Sequence, residues 1–228
     1  MFLDISKAFD RVLHKGILFK LRQLGVNESL INLFSSYLKN RSQIVRVNGV
    51  NSDVGYTNCG VPQGSVLGPL LFLVYIFDIS DNICSNISLF ADDTILFDSC
   101  KCPTLLHTTI SKDLVKLEHW AKLWFINFNP DKSKVMTISS KPSSHPPFRF
   151  VNAFLTEVES HKHLGLFFHR SLSWHCHISY LHNKVSSRIN ALRKLVNSVP
   201  RYILYTLYRT CKLPLLDYGD IIVCVINL

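Results

Sequence analysis

The chain predicts an α+β fold, with a strand-rich part of about 170 residues followed by a helical part. Three observations carry the prediction. Short apolar runs bounded by turn residues recur from Met1 to about Phe168. Within them lies one clear amphipathic helix, with Leu106, Ile110, Leu114, Leu117, Ala121 and Trp124 recurring every three or four residues. From about Ser173 helical spacing takes over, first in Ile178, Leu181, Val185, Ile189, Leu192 and Val196, then across residues 201–213.

Met1 to Ile5 reads as a buried strand with no lead-in, which predicts that an N-terminal portion is missing. Two helices are predicted next, at 15–24 and 29–38, with Gly25 as a stop between them and Asn27 as a cap. Gln43 to Thr57 alternates around Asn48-Gly49, a hairpin signal. The loop Cys59 to Gly64 feeds an apolar run, Val66 to Phe77, expected as a buried helix ending near Asp81. That run is too short for a bilayer, which needs about 20 residues. Two apolar runs flank Asp92-Asp93 as a further hairpin, Asn129-Pro130-Asp131 breaks the pattern, and 135–138 is a possible strand. Residues 141–147 are a Ser/Pro-rich turn or linker.

A hydrophobic fraction of 47% is ample for a core and argues against disorder. The net charge of +9 favours a polyanionic partner. Seven cysteines, an odd number, and the lack of a secretory signal at Met1 point to reduced thiols in an intracellular protein, nuclear or cytoplasmic, with no membrane segment. Cys100-Lys101-Cys102 and His175-Cys176-His177 are spaced too closely within each half for a usual zinc site. Neither a phosphate-binding P-loop nor a Ser-His-Asp or Cys-His nucleophile pattern is legible.

Asp92-Asp93 is the most informative feature. Unpaired carboxylates are expensive beside buried strands, and a divalent cation would offset that cost. Asp4, in the apolar Met1-Phe2-Leu3-Asp4-Ile5, supplies a third acid. One acid on a strand and two on a hairpin suit a two-metal site.

These segments, in their order, resemble the reverse transcriptases of non-LTR (LINE-type) retrotransposons. The resemblance runs through Phe2-Leu3-Asp4-Ile5-Ser6-Lys7-Ala8-Phe9-Asp10 and then residues 60–72, Gly-Val-Pro-Gln-Gly-Ser-Val-Leu-Gly-Pro-Leu-Leu-Phe. It continues through Phe90-Ala91-Asp92-Asp93-Thr94, Asn127-Phe128-Asn129-Pro130-Asp131-Lys132, and His163-Leu164-Gly165 leading to Leu172-Ser173-Trp174. It implies a palm over residues 1–170, an antiparallel sheet with helices on one face, then a helical thumb-like region over 171–228, with the fingers missing.

The resemblance implies roles as well. Asp4, Asp92 and Asp93 would be the catalytic carboxylates and the ligands of two Mg²⁺ ions. Partners would be an RNA template, a DNA primer and a deoxynucleoside triphosphate. Phe9 would be the aromatic gate beneath the incoming sugar; a core phenylalanine is the alternative. Gln63 and Gly64 would touch nucleotide or template; an ordinary turn is the alternative. Lys132, or its neighbour Lys134, would protonate or pair with pyrophosphate. Leu164 and Gly165 would grip the primer end, and Lys184, Arg188, Arg193 and Lys194 would follow a phosphate backbone or line a solvated helix face. Asp10 is read as structural.

Phe77, where relatives commonly have Asn, and His169, where Asp is common, read as drift. With the fingers absent, the isolated chain is expected to have little or no polymerase activity. The alternative function is a catalytically dead nucleic-acid-binding remnant. A group II intron maturase-type protein is a third reading, within the same catalytic class.

Overall fold

This computed structural model describes residues 1–139 and 145–219, and thirteen strands and seven α-helices lie along the described residues. In order, the elements are β1 (Phe2–Ile5), a 3₁₀ turn (Ala8–Asp10), α1 (His14–Gln23) and α2 (Glu28–Leu38). Next come β2 (Arg41–Gln43), β3 (Arg46–Val47), β4 (Val50–Asn51), β5 (Gly55–Thr57) and α3 (Leu67–Ile76). β6 (Asn86–Phe90), β7 (Asp93–Phe97), α4 (Pro103–Leu123), β8 (Phe128–Val135), β9 (Arg149–Phe150) and β10 (Ala153–Phe154) follow. The remainder is β11 (Thr156–Glu157), β12 (Ser160–His163), β13 (Leu166–His169), α5 (His175–Leu195), α6 (Arg201–Cys211) and the short α7 (Leu213–Asp217). The described residues fall into two units, the first holding 1–135 and 145–156, the second 136–139 and 157–219. The mixed α+β class expected from the sequence is what the structure has.

The first unit is built on antiparallel strands in the order β8-β1-β7-β6. β1 is central because its alternate residues serve two faces. Leu3 and Ile5 are buried, as are Thr94 and Leu96 on β7. Phe2 and Asp4 point the other way and stay half-exposed. Against the buried face α4 supplies Ile110, Leu114, Leu117 and Ala121, the stripe expected from its spacing. Asn27 caps α2 as expected, its side chain accepting from the Ser29 N–H at 2.8 Å. Gly25, at φ +75°, closes α1 by donating to the Arg22 carbonyl at 2.9 Å.

Three expectations change. α3 stops at Ile76 and does not run on towards Asp81, because residues 77–82 form successive turns. There Asp78 accepts from Lys20 Nζ at 2.5 Å and from Trp120 Nε1 at 2.8 Å. Nor is α3 buried all round: Leu71, Phe72, Tyr75 and Ile76 are buried, whereas Leu70 and Leu73 are exposed. The last expected strand, at 135–138, lies earlier, as β8. Asn129-Pro130-Asp131 sits inside it, because the pairing slips between Phe2↔Lys134 and Asp4↔Asn129. A bulge is where a strand tolerates proline.

The hairpin around Asn48-Gly49 forms as two nested pairs, Arg46↔Asn51 with Val47↔Val50, and Arg41↔Thr57 through Gln43↔Gly55. Both turn residues have positive φ, as a two-residue turn of this hand requires. In the second unit β12 and β13 form a hairpin and α5 packs on β13 and α6. The face of α5 expected from its spacing is only half covered, with Leu181 and His177 alone fully buried on that helix. Among the described residues no helix is long and apolar enough to cross a membrane. The expected linker at 141–147 falls largely on residues outside those described.

Candidate active site

Asp4 reaches its place through strand alternation. Leu3 and Ile5 go into the core, so Asp4 must face the open side of the sheet. Across the ladder its partner is Asp93, on the same side. Asp93 also closes the β6–β7 hairpin opposite Phe90, leaving Ala91-Asp92 as a two-residue turn. Ala91 holds φ +52°, a conformation that costs a residue with a Cβ on the order of 1–2 kcal/mol. That local strain accompanies the placing of Asp92 at the hairpin tip.

The backbone at Asp4 is held by the β8 bulge. The slip in register removes a regular ladder partner, and the Ser133 hydroxyl fills the gap. It accepts from the Asp4 N–H at 3.1 Å and donates to the Asn129 carbonyl at 2.7 Å. The Ser133 side chain is fully buried.

A cavity of about 240 Å³ opens beside these residues, within the first unit. Asp4 and Asp92 both line it, with Phe9, Gln63 and Lys132. Asp10 and Lys7 line it too, and neither was singled out by sequence reasoning as a site residue. Asp93 lies beside Asp4 in the sheet but does not line the cavity. Asp4, Asp10 and Asp92 thus line the same small cavity as Lys7 and Lys132. Among the described residues no lysine or arginine pairs with Asp4 or Asp92.

The neighbouring loop is fastened by its backbone. Gly60 donates to the Val12 carbonyl at 2.7 Å and Val61 to the Phe9 carbonyl at 2.8 Å. His14 Nε2 donates to the Gly60 carbonyl at 2.8 Å. Gly60 has φ +86°, and a Cβ there would lie 2.9–3.0 Å from backbone atoms of Asp10 and Phe9. Ser65 lies just ahead of α3, its Oγ donating to the Pro62 carbonyl at 2.7 Å and accepting from the Gly68 N–H at 2.9 Å. Gln63 is carried over the cavity, and its Nε2 donates to Asp10 Oδ1 at 2.8 Å. Gly64 is exposed at φ +79°, with open space around it, and does not line the cavity.

Phe9 packs on the core and reaches the cavity. Its ring lies 4.8 Å from that of Phe72 in the core while it also lines the cavity. Of the two lysine candidates, Lys132 lines the cavity, whereas Lys134 is turned to the Asp131 carbonyl at 2.6 Å. Lys132 stands on β8, not in a free turn. Leu164 and Gly165 form the β12–β13 turn in the second unit, at φ +45° and +83°. There Tyr218 donates its hydroxyl to the Leu164 carbonyl. Neither residue lines the cavity.

The acids suit a hard divalent cation. They are oxygen donors, Asp4 and Asp92 are half-buried, and neither has a cationic partner among the described residues. Two carboxylates with room for substrate phosphates are the usual protein share of a Mg²⁺ site. Among the described residues no three His, Cys, Asp or Glu side chains gather closely enough to hold an ion unaided. Phe77 and His169 serve local contacts: Lys20 Nζ lies 5.4 Å from the Phe77 ring, and His169 Nδ1 pairs with Ser171 Oγ at 2.7 Å.

The profile of the family described as "Reverse transcriptase (RNA-dependent DNA polymerase)" matches residues 1–168. The chain is 30% identical over 203 residues to the RNA-directed DNA polymerase from mobile element jockey of Drosophila funebris, covering 86% of this chain and 22% of that protein. It is 28% identical to the jockey polymerase of Drosophila melanogaster, over 96% of this chain and 25% of the relative. To a Pol polyprotein of the type-1 retrotransposable element R2 of Popillia japonica it is 27% identical, over 73% of this chain and 30% of the relative. The chain thus spans about a quarter of the length of the jockey polymerases it matches. With the motif order, the paired acids on β1 and β7 and a match over residues 1–168, this chain belongs to the reverse transcriptase family, among the polymerases of non-LTR retrotransposons.

Proposed function

We propose that the cavity between Asp4 and Asp92 is the nucleotidyl-transfer site of an RNA-directed DNA polymerase, extending a DNA primer on an RNA template. The observation that carries the reading is that Asp4 and Asp92 line one cavity, from positions far apart in the chain and without a cationic partner among the described residues. Asp4 and Asp92 would hold two Mg²⁺ ions, with Asp93 supporting from the adjacent ladder position. Bound there, the ions would make the primer 3′-hydroxyl a better nucleophile and neutralise charge on the departing pyrophosphate.

The protein's own groups would do the rest. Lys132 would give a proton to pyrophosphate or pair with its charge. The Phe9 ring, backed by Phe72, would lie under the sugar and disfavour a 2′-hydroxyl. Gln63 and Gly64 would meet nucleotide or template, and the Leu164-Gly165 turn would approach the primer end by its backbone. In this reading residues 1–170 are palm and 171–228 are thumb. Much of the rate in such transfers comes from positioning. This chain spans about a quarter of the jockey polymerases it matches, and extension by it in isolation is proposed to be weak or absent.

The test combines primer extension on RNA with Mn²⁺ binding followed by paramagnetic resonance. Wild type should bind Mn²⁺, and any incorporation should be slow. Asp92→Asn and Asp4→Asn should each lower both readouts by at least about tenfold. Incorporation or ion binding indifferent to both substitutions would refute the reading. A second reading, a nucleic-acid-binding remnant without catalysis, is favoured by the net charge of +9. It predicts salt-sensitive gel retardation with neither ion binding nor incorporation.

A further inference from the structure

We propose that Asp10 is a positioning residue for Gln63, fixing which edge of the Gln63 amide is offered to an incoming nucleotide. The inference deepens the functional reading above and rests on it.

Three observations combine. Asp10 Oδ1 accepts from Gln63 Nε2 at 2.8 Å, and both side chains line the cavity that holds Asp4 and Asp92. A carboxylate only accepts hydrogen bonds, so the amide nitrogen must face Asp10. The Gln63 carbonyl oxygen and its second N–H are then left for a ligand. Without Asp10 the amide can turn over, and the donor and acceptor exchange places.

The second observation concerns the Asp10 backbone. Lys7 holds φ +49°, and its carbonyl accepts from the N–H groups of Asp10 and Arg11 at 3.0 and 3.2 Å. This tight turn brings Asp10 back to the cavity six residues after Asp4. The third is the close seam between the two segments. Val61 and Gly60 donate to Phe9 and Val12, and only a glycine at 60 fits against the Asp10 backbone. The seam aligns the backbones; the side-chain bond then selects the amide face.

The test uses the full chain with Asp10→Asn, Asp10→Ala, Gln63→Ala and the double alanine variant. Affinity for a fluorescent deoxynucleoside triphosphate is measured in Mg²⁺, and the Gln63 side-chain amide is followed by ¹⁵N–¹H NMR without nucleotide. Asn keeps an acceptor oxygen but adds a donor and can hold the Gln63 amide either way round, so Asp10→Asn should bind nucleotide about threefold more weakly than wild type, between wild type and Asp10→Ala. Asp10→Ala should bind about tenfold more weakly, the scale of one charge-assisted hydrogen bond. The double variant should be no worse than the weaker single one. The Gln63 amide should be held in wild type and Asp10→Asn and free in Asp10→Ala.

Equal losses in Asp10→Asn and Asp10→Ala would overturn the proposal and make Asp10 a cation ligand. Additive losses in the double variant, or a Gln63 amide already free in wild type, would overturn it as well. A held amide in a chain that binds no nucleotide would instead sink the functional reading, and with it the nucleotide as the recipient of Gln63.

Discussion

Ser133→Ala isolates the device that supports Asp4. The substitution removes one oxygen from a fully buried side chain, so it changes packing little. It removes two hydrogen bonds, one from the Asp4 N–H and one to the Asn129 carbonyl. Each is worth about 0.5–1.5 kcal/mol net. Their neighbourhood is partly buried, so water can replace the hydroxyl only in part. The expected loss is about 2 kcal/mol. For a domain of this size 1 kcal/mol moves Tm by about 2–4 °C, so Tm should fall by about 4–8 °C.

Urea unfolding is the direct assay, and the midpoint should fall at an unchanged m value, since the exposed surface is the same. Mn²⁺ affinity should fall in parallel, because the backbone carrying Asp4 loses its anchor. Ser133→Thr keeps the hydroxyl but adds a methyl where no space is exposed, which costs about 1 kcal/mol or more by overpacking. A loss below about 0.5 kcal/mol in Ser133→Ala would refute the bridge across the bulge.

Two further outcomes follow from the same geometry. Gly60→Ala forces a Cβ against the backbone of Asp10 and Phe9 at positive φ, and should cost about 2–4 kcal/mol in urea unfolding while speeding proteolysis of the 59–64 loop. Asp113 is fully buried on α4; burial pushes its pKa up, but Lys116, the Ser85 N–H and hydroxyl, and the Cys84 N–H outweigh that and hold it below the ordinary carboxylate value. Because the folded value lies below the unfolded one, its contribution is present above the unfolded pKa and is lost as pH falls through the folded pKa. Asp113→Asn should cost about 2 kcal/mol at pH 7 and flatten the acid limb of a stability profile measured by urea unfolding; an unchanged acid limb would count against it.

Local chemistry was legible where neighbours in the chain decide the outcome. Gly25 and Asn27 mark helix ends because φ and the first free N–H groups are settled within one turn. The stripe on α4 and the Asn48-Gly49 hairpin followed from periodicity in the same way. Proline inside β8 was misleading because a bulge, a property of the pairing with β1, made room for it. The exposed side of α3 was illegible for a related reason. Apolar residues all round a helix predict burial, but how much surface is covered depends on which elements reach it.

The candidate site divides along the same line. Asp4, Asp92, Phe9, Gln63 and Lys132 were identifiable as residue types in motifs, and they line one cavity. That Asp10 and Lys7 share it, that Asp93 stands beside it, and that Ser133 replaces a ladder partner came only from the folded chain. Residue spacing encodes which face of a strand or helix a side chain takes. Which faces then meet across 50 or 130 residues is set by register, by a slip in that register, and by the few hydrogen bonds that close the gaps.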